Sequence, residues 1–210
     1  MRYGILGGSF DPIHLGHVAA AGAARAARGL LSVLLIPAGQ APHKRACVAS
    51  FADRLEMARI AVRACEGLEV LDVEGVRGGI SYTVDTLAEL RRLRPGAEFE
   101  LLVGADMLED LPTWRRAEEV VKGALVVAFG RPGAASETAR RRFDQAFGPG
   151  RHVWLDFAPL SASSTEIRRR LAGGELLGCL LDPAVEAYIR TRGLYGAGPR
   201  TPSGFRRLGG

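Results

Sequence analysis

Two histidines lie three residues apart in a glycine-rich stretch, Gly7-Gly8-Ser9-Phe10-Asp11-Pro12-Ile13-His14-Leu15-Gly16-His17. Helical positions three apart share a face, so His14 and His17 can address one ligand. The stretch follows an apolar strand pattern and opens an Ala-rich helical pattern. In parallel α/β sheets ligands bind beyond the carboxyl ends of the strands, where a helix N-terminus offers N–H groups and partial positive charge to phosphate. Gly7 and Gly8 allow close backbone approach, and the stretch predicts a phosphate site.

Other interpretations of the same stretch are weaker. The sequence has neither G-x-x-x-x-G-K-[ST] nor a G-x-G-x-x-G after the first strand, which disfavours a P-loop ATPase and an ordinary dinucleotide oxidoreductase. A zinc site of Asp11, His14 and His17 is an alternative, but no further His or Cys lies nearby in the sequence. No side-chain nucleophile with a paired base stands out, so the predicted chemistry is positioning and charge stabilisation.

A second candidate phosphate-binding segment lies near the other end, Ala162-Ser163-Ser164-Thr165-Glu166-Ile167-Arg168. Ser163 with Glu166 three residues later is typical of a capping box at a helix start. Ser163 and Thr165 would offer donors, and Arg168, one turn into the helix, can make bidentate contacts to phosphate oxygens. The plain alternative is a capping box with no further role.

Short apolar runs alternate with helical patterns, which predicts a doubly wound, Rossmann-like parallel sheet in one α/β domain over residues 1–195. The predicted strands are Tyr3–Gly7, Ser32–Ile36, Leu68–Val73, Glu100–Val103, Ala124–Phe129 and His152–Asp156. The predicted helices are Leu15–Arg28, Phe51–Cys65, Thr83–Leu93, Trp114–Val121, Glu137–Phe147, Glu166–Leu171 and Pro183–Arg192. Residues 196–210 are rich in Gly, Pro and Arg, and we expect a disordered basic tail.

Composition sets the broad class. The 210 residues are 47% hydrophobic, which suits one compact core. No apolar run approaches the roughly 18 residues of a membrane span, and no secretory pattern is visible, so we expect a cytoplasmic enzyme without a membrane partner. The three cysteines, Cys47, Cys65 and Cys179, lie far apart and are expected to be reduced thiols.

The formal net charge of +5 fits an anionic substrate, although it decides nothing alone. A nucleic-acid-binding module is an alternative, with arginine runs at 140–142 and 168–170 and the basic tail as candidate surfaces. Such runs are usually solvated helix faces, and aromatic residues are not interleaved with them. We therefore expect no nucleic-acid partner. A homo-oligomer is possible, and the sequence does not decide the oligomeric state.

Both phosphate-binding segments resemble known signatures. The first resembles the His-x-Gly-His signature of the nucleotidyltransferase superfamily, and its Gly-Gly-Ser-Phe-Asp-Pro extension resembles the bacterial nicotinate-mononucleotide adenylyltransferases. The second is similar to the superfamily's Ile-Ser-x-Thr-x-Ile-Arg, with Ala162 in place of Ile. The resemblance runs from about Arg2 to Tyr195. It also covers five intervening segments: Ile36–Lys44, with Ala41 replacing a usual proline, Ile80–Leu87, Leu102–Asp106, Leu111–Trp114 and Phe129–Gly133.

The resemblance implies transfer of AMP from ATP to nicotinate mononucleotide, giving nicotinate adenine dinucleotide and pyrophosphate in NAD biosynthesis. It implies direct in-line attack without a covalent enzyme intermediate, with Mg²⁺ carried by ATP. The implied catalytic residues are His14, His17, Lys44 and Arg168. The implied ATP-binding residues are Gly7, Gly8, Ser9, Phe10, Gly104, Asp106, Ser163 and Thr165. The implied residues for nicotinate mononucleotide are Tyr82, Thr83, Trp114 and Arg131, and no metal ligand is implied.

These roles suit the residue types. Thr83 beside a helix start can offer N–H and hydroxyl donors to a carboxylate. Asp106 can accept two hydroxyl hydrogen bonds from a ribose, and Trp114 can stack on a pyridine ring. Rival functions are a phosphopantetheine-type or glycerol-phosphate-type transferase, or a regulator that binds nucleotide without chemistry. We favour the acid over the amide form of the mononucleotide because of the family branch.

Overall fold

A computed structural model describes residues 1–40, 47–130, 133–157 and 163–198 of the chain. Six parallel strands form one sheet in the order β3-β2-β1-β4-β5-β6. The strands are β1 (Arg2–Gly8), β2 (Ser32–Pro37), β3 (Leu68–Val70), β4 (Glu98–Gly104), β5 (Leu125–Gly130) and β6 (His152–Asp156). The predicted doubly wound α/β sheet is confirmed.

Nine α-helices in the described ranges cover the sheet. They are α1 (Leu15–Arg28), α2 (Phe51–Val62), α3 (Val73–Arg77), α4 (Thr83–Leu93), α5 (Ala105–Asp110), α6 (Ala117–Gly123), α7 (Ala134–Phe147), α8 (Ser164–Ala172) and α9 (Pro183–Thr191). Short 3-10 turns occur at Leu111–Thr113, Gly178–Leu180 and Leu194–Gly196. No helix within these ranges has the length and apolar character of a membrane span.

Each face of the sheet carries its own apolar core. On one face Leu6, Leu35 and Val127 pack with α1, α2, α8 and α9. On the other, Ile5 and Leu34 pack with α3 to α7. Neighbouring strand residues alternate between the two cores, so the central strands are apolar throughout, as strands covered on both faces must be.

Several predicted boundaries were wrong. Strand β3 ends at Val70 instead of Val73, because Val73 begins the unpredicted helix α3. Helix α2 stops at Val62, short of Cys65. Helix α6 begins at Ala117, not Trp114, because Arg116 has φ 54° in the left-handed region, which interrupts helical geometry. The unpredicted helix α5 directly follows β4.

The strand order places a switch point between β1 and β4, from which successive strands are added in opposite directions. Ligands of doubly wound sheets bind at such a point, outside the carboxyl ends of the strands. The loop with His14 follows β1, and Gly104 ends β4. Of the expected tail, only residues 196–198 are described: Ala197 is buried, and Arg190 donates to the Gly198 carbonyl.

Candidate active site

The two histidines of the first segment form a stacked pair. His14 caps the N-terminus of α1, and its ring lies 3.6 Å from that of His17, with 24° between the planes. His17 Nδ1 accepts a hydrogen bond from the His14 backbone N–H at 3.2 Å. With Nδ1 accepting, a neutral His17 carries its proton on Nε2 and can donate there. The rings face one side, as their spacing predicts.

The environment keeps His14 neutral. Burial lowers its pKa to about 4, because desolvation disfavours the charged form. Its Nδ1 is buried without a hydrogen-bond partner. The buried ring of Phe10 packs edge-on against His17 at 5.0 Å and steadies the pair from the core side. An anionic phosphate beside the His14 ring would favour its protonated form.

The second segment meets the first at this point. Arg168 Nη1 donates to the Asp11 carbonyl at 2.7 Å, across 157 positions of sequence, and its Nη2 donates to Thr165 Oγ1 at 3.2 Å. Ser164 Oγ donates to the Pro12 carbonyl at 2.9 Å. The predicted cap is present, since Ser163 Oγ accepts from the Glu166 N–H at 3.1 Å. The N-termini of α1 and α8 are thus held together by direct hydrogen bonds.

Asp11 joins three separate parts of the chain. Its carboxylate is 4% exposed and accepts from the N–H groups of Val48 at 2.7 Å and Ala49 at 3.1 Å. It also accepts from the hydroxyl of Tyr195 at 2.7 Å. Burial, reinforced by this hydrogen bond, raises the pKa of Tyr195, which stays a protonated donor. Because its oxygens are engaged in this way, Asp11 is a structural link rather than the zinc ligand considered from sequence.

A buried arginine that sequence reasoning missed supports the loop that follows β1. Arg54 on α2 is 2% exposed. Its Nη1 donates to the Ser9 carbonyl at 2.6 Å, and its Nη2 to the carbonyls of Ala38 at 2.8 Å and Gly39 at 3.3 Å. It therefore bridges the loops that follow β1 and β2.

A sequence signal for Arg54 existed. Met57, Ala58 and Ala61 follow it at helical spacings of three, four and seven, and all of these positions are buried. This pattern places a cation on the apolar face of α2. Such a residue must find polar partners inside the protein.

The glycines around the site differ in their surroundings. A Cβ on Gly7 would meet no heavy atom within 4 Å, so this position, near the carboxyl end of β1, faces open space. A Cβ on Gly8 would lie 3.0 Å from the ring of Phe10. Gly104 caps α5, and its missing Cβ leaves room for Asp106 Oδ1, which would otherwise lie 2.7 Å away. Asp106 is exposed beyond β4, next to the switch point.

The predicted pyridine segments approach one another. Tyr82 caps α4 and Thr83 is its first residue. Arg115 Cζ lies 4.5 Å from the ring centroid of Tyr82, and Trp114 packs against the same core as Tyr82. Ser81 Oγ accepts from the Gly39 N–H at 3.1 Å and fixes the start of α4 to the loop after β2.

Two predicted site residues, Lys44 and Arg131, lie outside the described residues. Within the described ranges, no group of three His, Cys, Asp or Glu side chains is arranged to hold a metal ion. Of the remaining predicted residues, His14, His17, Ser163, Thr165 and Arg168 lie around the joined helix N-termini. Gly7, Gly8, Ser9 and Phe10 lie at and just after the end of β1, and Gly104 and Asp106 lie at the end of β4. Tyr82 and Thr83, at the start of α4, form a separate group with Trp114.

Comparison with known proteins gives the family. A cytidylyltransferase-like family model matches residues 5–170. A probable nicotinate-nucleotide adenylyltransferase of Shouchella clausii is 41% identical over 196 residues, covering 93% of this chain and 97% of the relative. One of Thermus thermophilus is 43% identical over 195 residues, covering 93% and 100%. The chain belongs to the nicotinate-nucleotide adenylyltransferase family.

Solved structures agree on the fold of this family member. A nicotinic acid mononucleotide adenylyltransferase of Plasmodium falciparum, complexed with NaAD, superposes with a TM-score of 0.76 at 20% identity, covering 93% of this chain and 97% of that one. The same protein complexed with APC gives 0.74. The family match extends from β1 into α8 and includes both candidate phosphate-binding segments. The resemblance to nicotinate-nucleotide adenylyltransferases is confirmed, and the chain is a nucleotidyltransferase.

Proposed function

We propose that the protein transfers AMP from ATP to nicotinate mononucleotide, giving nicotinate adenine dinucleotide and pyrophosphate in NAD biosynthesis. The observation that carries this proposal is the junction of two helix N-termini at the switch point, bearing His14, His17 and Arg168. Helix N-termini and a guanidinium are suited to binding a triphosphate. The names of the relatives support the choice of nucleotide and acceptor.

The proposed step is a single displacement. An anionic phosphate oxygen of the mononucleotide attacks the α-phosphorus of ATP, and a new P–O bond forms. The bond from the α-phosphorus to the bridging oxygen breaks, and its electron pair leaves with pyrophosphate. The attacking phosphate is already ionised near neutral pH, since its second pKa is about 6, and needs no general base.

The protein's residues supply positioning and charge. His17 Nε2 and His14 would donate to the α-phosphate and its bridging oxygen, and the phosphate's charge would restore a proton to His14. Arg168, with Lys44, would draw charge toward pyrophosphate. Gly7, Gly8 and the backbone of Ser9 and Phe10 would line the phosphates, with Ser163 and Thr165 as further donors.

The two bound nucleosides would occupy different edges of the site. Asp106 and Gly104 would contact the ATP side at the end of β4. Mg²⁺ would enter with ATP, bound mainly by phosphate oxygens and water. Trp114 would stack on the pyridine ring, Tyr82 and Thr83 would hold its carboxylate, and Arg131 would contact phosphate.

An exposed cation favours the acid form of the mononucleotide. Arg115 lies over the Tyr82 ring with its guanidinium at the segment proposed to hold the carboxylate. A positive charge there would attract nicotinate but not nicotinamide. Cytoplasmic location and the absence of nucleic-acid and membrane partners stay predictions.

The test is pyrophosphate release with ATP, Mg²⁺ and one of three acceptors: nicotinate mononucleotide, nicotinamide mononucleotide or phosphopantetheine. We expect a strong preference for the first in kcat/KM. A preference for phosphopantetheine would show that the protein is a phosphopantetheine-type transferase. Equal kcat/KM values for nicotinate mononucleotide and nicotinamide mononucleotide would contradict the role proposed for Arg115. Binding of ATP with no turnover of any acceptor would favour a regulator.

A further inference from the structure

Arg54 is a buried cation without an ion-pair partner among the described residues. In the described part of the chain, no carboxylate lies within the 4.0 Å ion-pair distance of its guanidinium. Its hydrogen bonds to the described residues all go to backbone carbonyls, and its Nε has no partner among those residues. Its Cζ also lies 5.5 Å from the ring centroid of Phe51. The adjacent carboxylate, Asp53, is bound by Ser50, Tyr188 and Arg192 instead. A buried charge without a counterion is costly, so its retention needs an explanation.

The location of the carbonyls that accept from Arg54 explains why a buried charge is retained here. Ser9 lies in the loop that leads to His14, and Ala38 and Gly39 lie in the loop that follows β2. The loop after β2 is also joined directly to the end of β1, since the Ala38 N–H donates to the Gly8 carbonyl at 2.8 Å. Arg54 lies beneath both loops, at the edge of the sheet where the triphosphate is proposed to bind.

We propose that Arg54 is a positioning residue for the triphosphate: it fixes the two loops relative to each other and supplies a buried positive charge that the anion balances. Its three hydrogen bonds set where the backbone N–H groups of the first loop point. Its charge acts through a protein interior that screens it less than water does. The effect on turnover rests on the proposed function, whereas the effect on anion binding does not.

Two substitutions separate the charge from the bridge. Arg54→Lys keeps the charge but loses the planar fork that reaches both loops. Arg54→Gln loses the charge and keeps one donor group. Arg63→Gln is the matched control, because it removes the same charge at the exposed C-terminal cap of the same helix.

The measurements are calorimetric binding of inorganic pyrophosphate at fixed ionic strength, thermal unfolding, and kcat and KM for both substrates. Loss of a hydrogen-bonded charge commonly changes an equilibrium by about tenfold or more. We expect Arg54→Gln to raise the pyrophosphate Kd by at least about tenfold. Arg54→Lys should keep that Kd within about threefold and lower kcat about tenfold, with the mononucleotide KM unchanged. Arg63→Gln should match the wild type in all respects.

Arg54→Gln with a lowered Tm but wild-type pyrophosphate Kd and kcat would overturn the proposal and leave Arg54 purely structural. A wild type that binds pyrophosphate no better than Arg54→Gln would overturn it too. If Arg54→Gln does not fold, an unchanged kcat for Arg54→Lys would contradict the proposal that Arg54 positions the two loops. A wild type that binds pyrophosphate but turns over no mononucleotide would refute the proposed function, while the pyrophosphate comparison would still decide the role of Arg54.

Discussion

The hydrogen bond from Tyr195 to Asp11 connects the last described turn to the loop after β1, and Tyr195→Phe removes only the hydroxyl. The accepting carboxylate is 4% exposed, so water cannot readily replace the lost donor. A hydrogen bond to a charged group contributes roughly 1.5–3 kcal/mol. Asp11 keeps the N–H donors of Val48 and Ala49. We therefore expect the free energy of unfolding to fall by about 2 kcal/mol, or Tm by about 4–8 °C in a domain of this size.

The assay is urea unfolding at pH 7, with Tyr188→Phe as the control on α9. Tyr188 donates to Asp53 at 2.9 Å, but this hydrogen bond is only partly buried, whereas that of Tyr195 to Asp11 is buried. Water can therefore replace the donor lost at Tyr188, and we expect a loss of under about 1 kcal/mol. Tyr195→Phe with a stability equal to that of Tyr188→Phe, or to that of the wild type, would refute the role assigned to Asp11 as the link between these segments.

Three further predictions concern the histidines and glycines. The pKa of His14 is about 4 when folded and 6.5 when unfolded, so its contribution to stability is present above pH 6.5 and is lost as pH falls toward 4. The wild type should lose about 2 kcal/mol more than His14→Gln between pH 7 and pH 5 by urea unfolding, and parallel losses would contradict the burial argument. His17→Ala should lower kcat about 10²–10³-fold with little change in mononucleotide affinity, and near-normal turnover would exclude its proposed role. A Cβ at Gly39 would lie 2.7 Å from the Glu74 carbonyl oxygen, whereas one at Gly7 would meet nothing within 4 Å. Gly39→Ala should therefore lower the free energy of unfolding by about 1–3 kcal/mol. Gly7→Ala should keep the wild-type Tm and raise the KM for ATP. A lowered Tm for Gly7→Ala together with a wild-type Tm for Gly39→Ala would contradict these roles of the two glycines.

Periodicity predicted the sheet and the longer helices because these elements bury continuous apolar faces. Helices α1 and α4 begin and end at the predicted residues. His14 and Tyr82 are their N-caps, and Gly29 and Arg94 are their C-caps. Helix α3, with five residues, is too short to show a helical period, and its Val73 continues an apolar run typical of a strand.

The site was predictable to the extent that its residues occur in contiguous segments. The histidine pair and the cap at Ser163 follow from local spacing. The links made by Asp11, Tyr195 and Arg54 join positions distant in sequence, and local pattern says nothing about such pairs. Only the buried arginine left a trace, because it interrupts the apolar face of a helix.

The most direct test of the account is the configuration of the product formed from ATP made chiral at its α-phosphorus with sulfur, using nicotinate mononucleotide as acceptor and phosphorus NMR as the readout. One displacement by the mononucleotide phosphate, assisted by His14, His17 and Arg168, predicts a dinucleotide with inverted configuration at that phosphorus. Retention would require two displacements and a covalent enzyme intermediate, and would contradict the account, as would the absence of any dinucleotide product.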